Sequence, residues 1–417
     1  MKLYKILGIF IILTFSLGCI ASADDKNEEL SQNISSLIEV SSSPVEEPNI
    51  NSRAAIIYER TSGKVLFGKN ENEKRKMAST TKIMTAIIVL ENSNLNDIVT
   101  VSAKAADTGG SRLGLRKNDK VSVRDLLYGL LLCSGNDAAV ALAEYVSGSV
   151  TEFAVLMNSK TTSLGLTSTH FVTPHGLDND EHYTTAYELA IITDYALKQK
   201  EFCKYVGTKN YTVSISGNPK NLSNTNELLG NLSGVYGVKT GFTNGANRCL
   251  VTAVKRDNMD LICIVLGADT KKNRTLDSIQ LIEYAFGNFK MVDIRKEIKT
   301  EFNNWKSCTN SEFLVNKGVS NNVDVILNEL PFEFLPVNCN YIDSISIYIY
   351  CATTLEAPLQ ANTAIGYLTV SVHGKNILSL DLYNSNEILK KNSKDFFKTL
   401  LQNYVFELES LLYKKIQ

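Results

Sequence analysis

The chain has 417 residues, more than one hydrophobic core usually organises, so at least two folded units are expected. Lys and Arg number 43 against 44 Asp and Glu, a formal charge of -1. That balance excludes the strong field a nucleic-acid or polyanion partner needs, and leaves a small or uncharged group as the target.

The N-terminus has the pattern of an export signal over residues 1–23: Lys2 and Lys5, an apolar run from Ile6 to Leu17, then Ala21-Ser22-Ala23 as a small-residue cleavage site. Two rivals stand beside it. Ser16-Leu17-Gly18-Cys19 is an imperfect lipid-attachment box at Cys19, and an uncleaved anchor is the other alternative, with an apolar run short for a bilayer span. Cleavage leaves Cys133, Cys203, Cys249, Cys263, Cys308, Cys339 and Cys351, an odd set without C-x-x-C spacing. Neither zinc nor dithiol chemistry is indicated, and most of these thiols are expected as small buried hydrophobes. Residues 24–50 are acidic and Ser-rich, the composition of a spacer, and folding is expected from near Arg53.

Ala54 to Tyr58 and Lys64 to Phe67 read as two strands around the turn Glu59-Arg60-Thr61-Ser62-Gly63. From Ser79 a helical period takes over, with Ile83, Ala86, Ile87 and Leu90 on one face. Helical stretches follow at 123–146, 151–164 and 184–199. Strands return at Val235 to Phe242, Leu250 to Lys255 and Leu261 to Leu266, before a helix from Thr275 to Phe286. Strands at both ends with helices between them predict an α+β unit over 51–290, one antiparallel sheet flanked by helices.

Residues 291–385 read as a small β domain, a sandwich in the expected architecture. Ile345, Ile347, Ile349 and Cys351 alternate with Ser346, Tyr348 and Tyr350, and a hairpin turns at His373-Gly374-Lys375. The tail, 386–417, predicts an amphipathic helix with Phe396, Phe397, Leu400, Leu401, Tyr404, Val405, Leu408, Leu411 and Leu412 in one stripe. Such a stripe suits a membrane surface, a sheet or a coiled-coil partner, and is too polar to span a bilayer.

Ser79-Thr80-Thr81-Lys82 places a hydroxyl and an amine three residues apart at a helix start, on one face. A serine needs a base to attack a carbonyl, and lysine is one only if burial and a neighbouring cation lower its pKa. Bringing lysine from about 10.4 to near neutrality costs roughly 4 kcal/mol. Lys239 is a candidate for the neighbouring charge, and the helix start favours a developing oxyanion. Alone, the pair reads better as a helix cap, since S-x-x-K is expected about once or twice by chance in a chain of this length. Its company decides otherwise: Ser134-Gly135-Asn136 follows an apolar stretch, and Lys239-Thr240-Gly241 lies in a strand pattern.

S-x-x-K, S-x-N and K-T-G in this order resemble the penicillin-recognising serine acyltransferases. The segments AAIIYERTSGKVLFGKN, MASTTKIMTA, LLLCSGNDAAVALAE, FVTPHGLDNDEHYTTAYELA and GVKTGFTNGANRCLV are similar to low-molecular-mass penicillin-binding proteins that are serine-type D-alanyl-D-alanine carboxypeptidases. Ala357-Pro358-Leu359 and Ile365-Gly366 resemble that family's smaller domain more loosely. The resemblance implies removal of the terminal D-alanine from peptidoglycan stem pentapeptides, inhibition by β-lactams, no cofactor and no metal. It implies Ser79 as nucleophile, Lys82 as general base and Ser134 as proton relay. Asn136, Lys239, Thr240 and Gly241 would bind substrate, and the backbone N–H groups of Ser79 and Phe242 would form the oxyanion hole. It further implies a site on the outer side of the cytoplasmic membrane, with the final helix in peripheral contact. Asp269 departs from the pattern, since some relatives carry an arginine there near the substrate carboxylate. A β-lactam sensor without turnover, a DD-endopeptidase and a β-lactamase are the alternatives on the same residues. The last is disfavoured because no E-x-x-L-N lies between Ser134 and Lys239.

Three signals carry less. Gly63 to Asn70 nearly spells a phosphate loop but suits a hairpin better. His175 and His182 match no zinc spacing and are expected to order a loop. Cys133 is expected to be simply buried.

Overall fold

The structure, a computed structural model, describes residues 46–309, 313–330 and 332–416. The expected export signal and cleavage site, Cys19 and residues 24–45 of the expected spacer lie outside the described residues. Packing begins ahead of Arg53: Ile50 is buried, and the backbone N–H and Oγ of Ser52 both donate to Asp277, at 2.7 and 2.5 Å.

Ala54–Glu59 (β1) and Lys64–Lys69 (β2) form the expected hairpin, with Gly63 supplying a left-handed φ of 70° at the turn. Val235–Thr243 (β3), Asn247–Arg256 (β4) and Met259–Ala268 (β5) complete an antiparallel sheet of order β2-β1-β5-β4-β3. Its period-two pattern is buried on both faces. On β5, Ile262, Ile264 and Leu266 face one core while Leu261, Cys263 and Val265 face the other.

The first core is built with helices Lys82–Asn92 (α1), Val123–Leu131 (α2), Asn136–Ser147 (α3), Val150–Ser163 (α4) and Ala186–Leu197 (α5). Lys271–Asn288 (α6) covers the opposite face through Ile279, Leu281, Ile282 and Ala285. Each of these Ile and Leu side chains contributes about 1.5 to 3 kcal/mol when withdrawn from water. Ser122, Ser149, Thr185 and Thr270 cap α2, α4, α5 and α6 by accepting a backbone N–H in the first turn.

Three expectations need correction. The stretch 123–146 is two helices, because Ser134 takes a φ of 61° and the chain turns at Leu132–Gly135 before α3 starts. The segment after 290 is not purely strand: Ile294–Thr309 (α7) is helical and buries Ile294 and Ile298 against the following β-rich unit. A short helix Lys200–Val206 and a hairpin of Asn210–Ile215 with Asn218–Ser223 were not anticipated.

The β-rich unit centres on four antiparallel strands in the order Val325–Leu327, Lys375–Asn384, Ala364–Val372 and Ile345–Cys351. Leu368, Val370 and Leu382 lie in its core. The chain ends in a helix, Ser393–Ile416 (α8), whose residues Phe396, Phe397, Leu400, Leu401, Tyr404, Val405 and Leu408 are exposed. Phe406, off that stripe, is exposed as well. Among the described residues no single helix is long and apolar enough to cross a membrane.

Candidate active site

The turn Ala78–Thr81 is 3-10 rather than α, so the α-helix proper starts at Lys82. No side-chain capping bond forms at either Met77 or Thr81, and Ser79 is not the cap. Its hydroxyl instead lies 2.8 Å from Lys82 Nζ. Ala78, with a φ of 48°, and Ser134 are both held in left-handed backbone, a conformation costing about 1 to 3 kcal/mol per residue and concentrated at working sites.

Lys82 is fully buried, and its amine meets three oxygens: Ser79 Oγ at 2.8 Å, Asn136 Oδ1 at 2.7 Å and the His175 carbonyl at 2.9 Å. Asn136 Nδ2 donates to the Gly109 carbonyl at 2.7 Å, which fixes the amide with its oxygen toward Lys82. A neutral amine has two N–H groups and one lone pair. The amide and carbonyl oxygens accept only, so they take both N–H groups and leave the lone pair facing the Ser79 hydroxyl. Burial, and then the charge of Lys239, hold the amine well below the ordinary lysine pKa. An amine so placed can take a proton from the Ser79 hydroxyl, and as an ammonium it would have three acceptors already in place.

Strand β3 closes the other side. A Cβ at Gly241 would lie 3.1 Å from both the Met77 carbonyl and the Ser79 nitrogen, so a side chain there would press on the turn that carries Ser79. Lys239 is buried and donates to the Thr240 carbonyl at 2.8 Å, while the Thr240 hydroxyl pairs with that of Thr225 at 2.7 Å. The ring of Phe242 lies under the guanidinium of Arg248, 3.6 Å from its centroid. Ser79, Lys82, Asn136 and Gly241 are thus brought together, with Ser134 two residues ahead of Asn136 in the turn that opens α3.

A model of the D-alanyl-D-alanine carboxypeptidase family matches residues 41–270, and one of the penicillin-binding protein 5 C-terminal domain matches 310–390. The chain belongs to the D-alanyl-D-alanine carboxypeptidase family. The D-alanyl-D-alanine carboxypeptidase DacF of Bacillus subtilis is 32% identical over 84% of this chain and 90% of the relative. The Escherichia coli enzyme DacC is 35% identical over 80% and 83%. Penicillin-binding protein 5 of Haemophilus influenzae superposes with a TM-score of 0.68 at 30% identity, over 83% of this chain and 100% of the other. As a D-alanyl-D-alanine carboxypeptidase the protein is a serine-type hydrolase that removes the terminal D-alanine of peptidoglycan stem peptides and binds β-lactams.

Several carboxypeptidase site groups escaped the sequence reading. Asp137, fully buried, accepts the N–H groups of Leu113, Gly114, Leu115 and Ala138, and so holds the loop that carries Gly109. Its place right after Asn136 was the only signal. Asp178 accepts from Thr243 Oγ1 at 2.6 Å and Gly245 N at 2.9 Å, pinning the β3–β4 turn. The His175 carbonyl has no signature in sequence at all. The departure at Asp269 has a structural partner: Arg53 pairs with it at 2.9 Å and Asn51 donates to it at 3.0 Å. Among the described residues no disulfide forms: Cys133, Cys249 and Cys263 are buried, Cys203, Cys339 and Cys351 part-buried, and Cys308 exposed.

Proposed function

We propose that Ser79 is the residue acylated by the penultimate D-alanine carbonyl, with Lys82 as its general base. The observation that carries this is the amine of Lys82, 2.8 Å from the Ser79 hydroxyl with its other partners all acceptors. Ser79 Oγ attacks the carbonyl carbon as its proton passes to Lys82. The tetrahedral oxyanion is met by the backbone N–H groups of Ser79 and Phe242. The C–N bond breaks, Ser134 relays the proton to the departing D-alanine nitrogen, and water then hydrolyses the acyl-enzyme. Asn136 holds the acyl-side amide, and Lys239 and Thr240 hold the terminal carboxylate beside Gly241. Asp269 is engaged by Arg53, so carboxylate binding rests on Lys239 and Thr240. Residues 51–290 carry this chemistry, with 291–385 as the small β domain.

The test incubates the purified protein with a diacetyl-L-lysyl-D-alanyl-D-alanine peptide, assays free D-alanine, and maps penicillin-labelled peptide by mass spectrometry. Release with the label on Ser79 is expected. A label on another residue overturns the assignment, and a stable label without release makes the protein a sensor.

Export by residues 1–23 would bring the enzyme to its peptidoglycan substrate outside the cytoplasm, and α8 would rest on the outer face of the membrane. The exposed apolar side chains of α8 support that contact, since each buried Leu or Phe is worth about 1.5 to 3 kcal/mol. A chain ending at Asn392 is expected to lose co-sedimentation with anionic phospholipid vesicles while releasing D-alanine at the full rate. Undiminished sedimentation would rule out this role for the helix.

A further inference from the structure

The loop that follows the short bridge at His170 lends the reaction no side chain, yet it is fastened to the segment that carries Ser79 and Lys82 at three points. Thr81 meets His182 Nε2 at 2.8 Å, Lys82 donates to the His175 carbonyl at 2.9 Å, and Thr85 donates to the Pro174 carbonyl at 2.6 Å. The three are Lys82 itself, the residue before it and the residue three further along the helix. The loop is therefore read out directly at the amine.

His182 sits at the centre of this fastening. It is 2% exposed and stands edge-on to the ring of Phe171. Its bonds permit one tautomer. The Thr81 hydroxyl gives its proton to the Ala78 carbonyl at 2.8 Å, so toward His182 it accepts, and Nε2 must donate. Nδ1 accepts the Val172 N–H at 2.9 Å. Burial first, and the neighbouring His170 next, lower its pKa to about 4, consistent with an imidazole that has no room for a second proton. Gly176 completes the fit: at φ 84° a Cβ there would lie 2.0 Å from the Ala78 carbonyl and 2.5 Å from Thr81 Oγ1.

We propose that His182 is a positioning residue for the general base: by locking the loop against Thr81 it sets the His175 carbonyl that occupies one N–H of Lys82 and aims the lone pair at Ser79. The inference rests on the reading of Lys82 as base. Without the lock, the carbonyl drifts and water reaches the amine. Water solvates an ammonium better than the dry cleft does, so the base protonates at higher pH. The other groups acting on Lys82 are Lys239 on β3, Cys133 and Asp137 on either side of Ser134-Gly135-Asn136, and Ser79 itself; those acting on His182 are His170, Asp178 and Lys82.

The experiment follows acylation of the full chain by a fluorescent penicillin across pH, normalised to the number of sites that label at completion. His182→Ala is expected to slow acylation per labelled site about tenfold, a small misalignment of a reacting group. Its acid limb is expected to move to higher pH. His182→Gln keeps a donor for Thr81 and should fall between it and the wild type. Gly176→Ala disturbs the same fastening without touching the imidazole and should reproduce both effects, which keeps the test decisive should His182→Ala fold poorly. A structural role alone would lower the melting temperature and the number of labelled sites but leave the rate per site and the acid limb in place, and that result overturns the proposal. Failure of the wild type to label at Ser79 would instead remove the site assignment on which it stands.

Discussion

Changing Ser79 to alanine is expected to abolish D-alanine release and penicillin labelling, and Lys82→Met is expected to lower both by about a thousandfold or more while leaving the fold intact. The two side chains act as one unit at 2.8 Å, so the double variant should be no worse than Ser79→Ala. Methionine replaces the amine with a side chain of similar shape, and the surrounding packing survives. Stability has a definite sign here. Lys82 has its pKa lowered in the fold relative to the unfolded chain, so between the two values the folded state binds fewer protons, and at any pH below the unfolded value folding is penalised. Removing the amine removes that penalty, and the melting temperature of Lys82→Met should hold or rise. The pH profile gives a second check. In the wild type, acylation falls on the acid side as Lys82 takes up a proton, and this limb should vanish from the residual rate of Lys82→Met. A methionine variant that labels at the wild-type rate with the same acid limb would assign the base to another residue.

The contact of Ser79 with Lys82 was legible because it is local: three residues of helix put the two side chains together whatever surrounds them. Asn136 and Lys239 could be gathered only through the order of their motifs, since nothing in the 53 or 156 residues between them and Lys82 predicts a distance. The groups that finish the site were not legible for a plain reason. A backbone carbonyl such as that of His175 is common to every residue, and its place depends on the whole loop. The one helix read across 123–146 shows the opposite failure. Apolar periodicity runs on through both halves, and only the turn chemistry of Ser134-Gly135 marks the break that brings Asn136 to Lys82. Helix α7 was within reach, because Ile294, Ile298, Phe302 and Trp305 recur on one helical face, but its polar composition was overshadowed by the strand alternation that follows.

Asp137 has the second large effect to measure, because it joins stability to the geometry of the base. Its Oδ1 accepts from Leu113 N at 2.7 Å and Ala138 N at 2.9 Å, and its Oδ2 from Gly114 N at 2.7 Å and Leu115 N at 2.9 Å. A run of backbone N–H groups closing on one carboxylate is a strong anion cradle. Asp137→Ala strands those donors in a buried setting and is expected to cost about 3 to 5 kcal/mol, read as a fall in the urea midpoint of the catalytic unit. Asp137→Asn is nearly isosteric and discriminates packing from charge. Whichever way the amide turns, its NH2 faces two backbone N–H groups, so it should lose almost as much as alanine. The same loop supplies the Gly109 carbonyl to Asn136 Nδ2 and the Ser111 carbonyl to Asn136 N, both at 2.7 Å. Freed from Asp137, it no longer holds Asn136 Oδ1 on Lys82, and acylation per folded molecule should fall together with stability. An asparagine variant with the melting curve and labelling rate of the wild type would show that the cradle neither stabilises the loop nor orients the base.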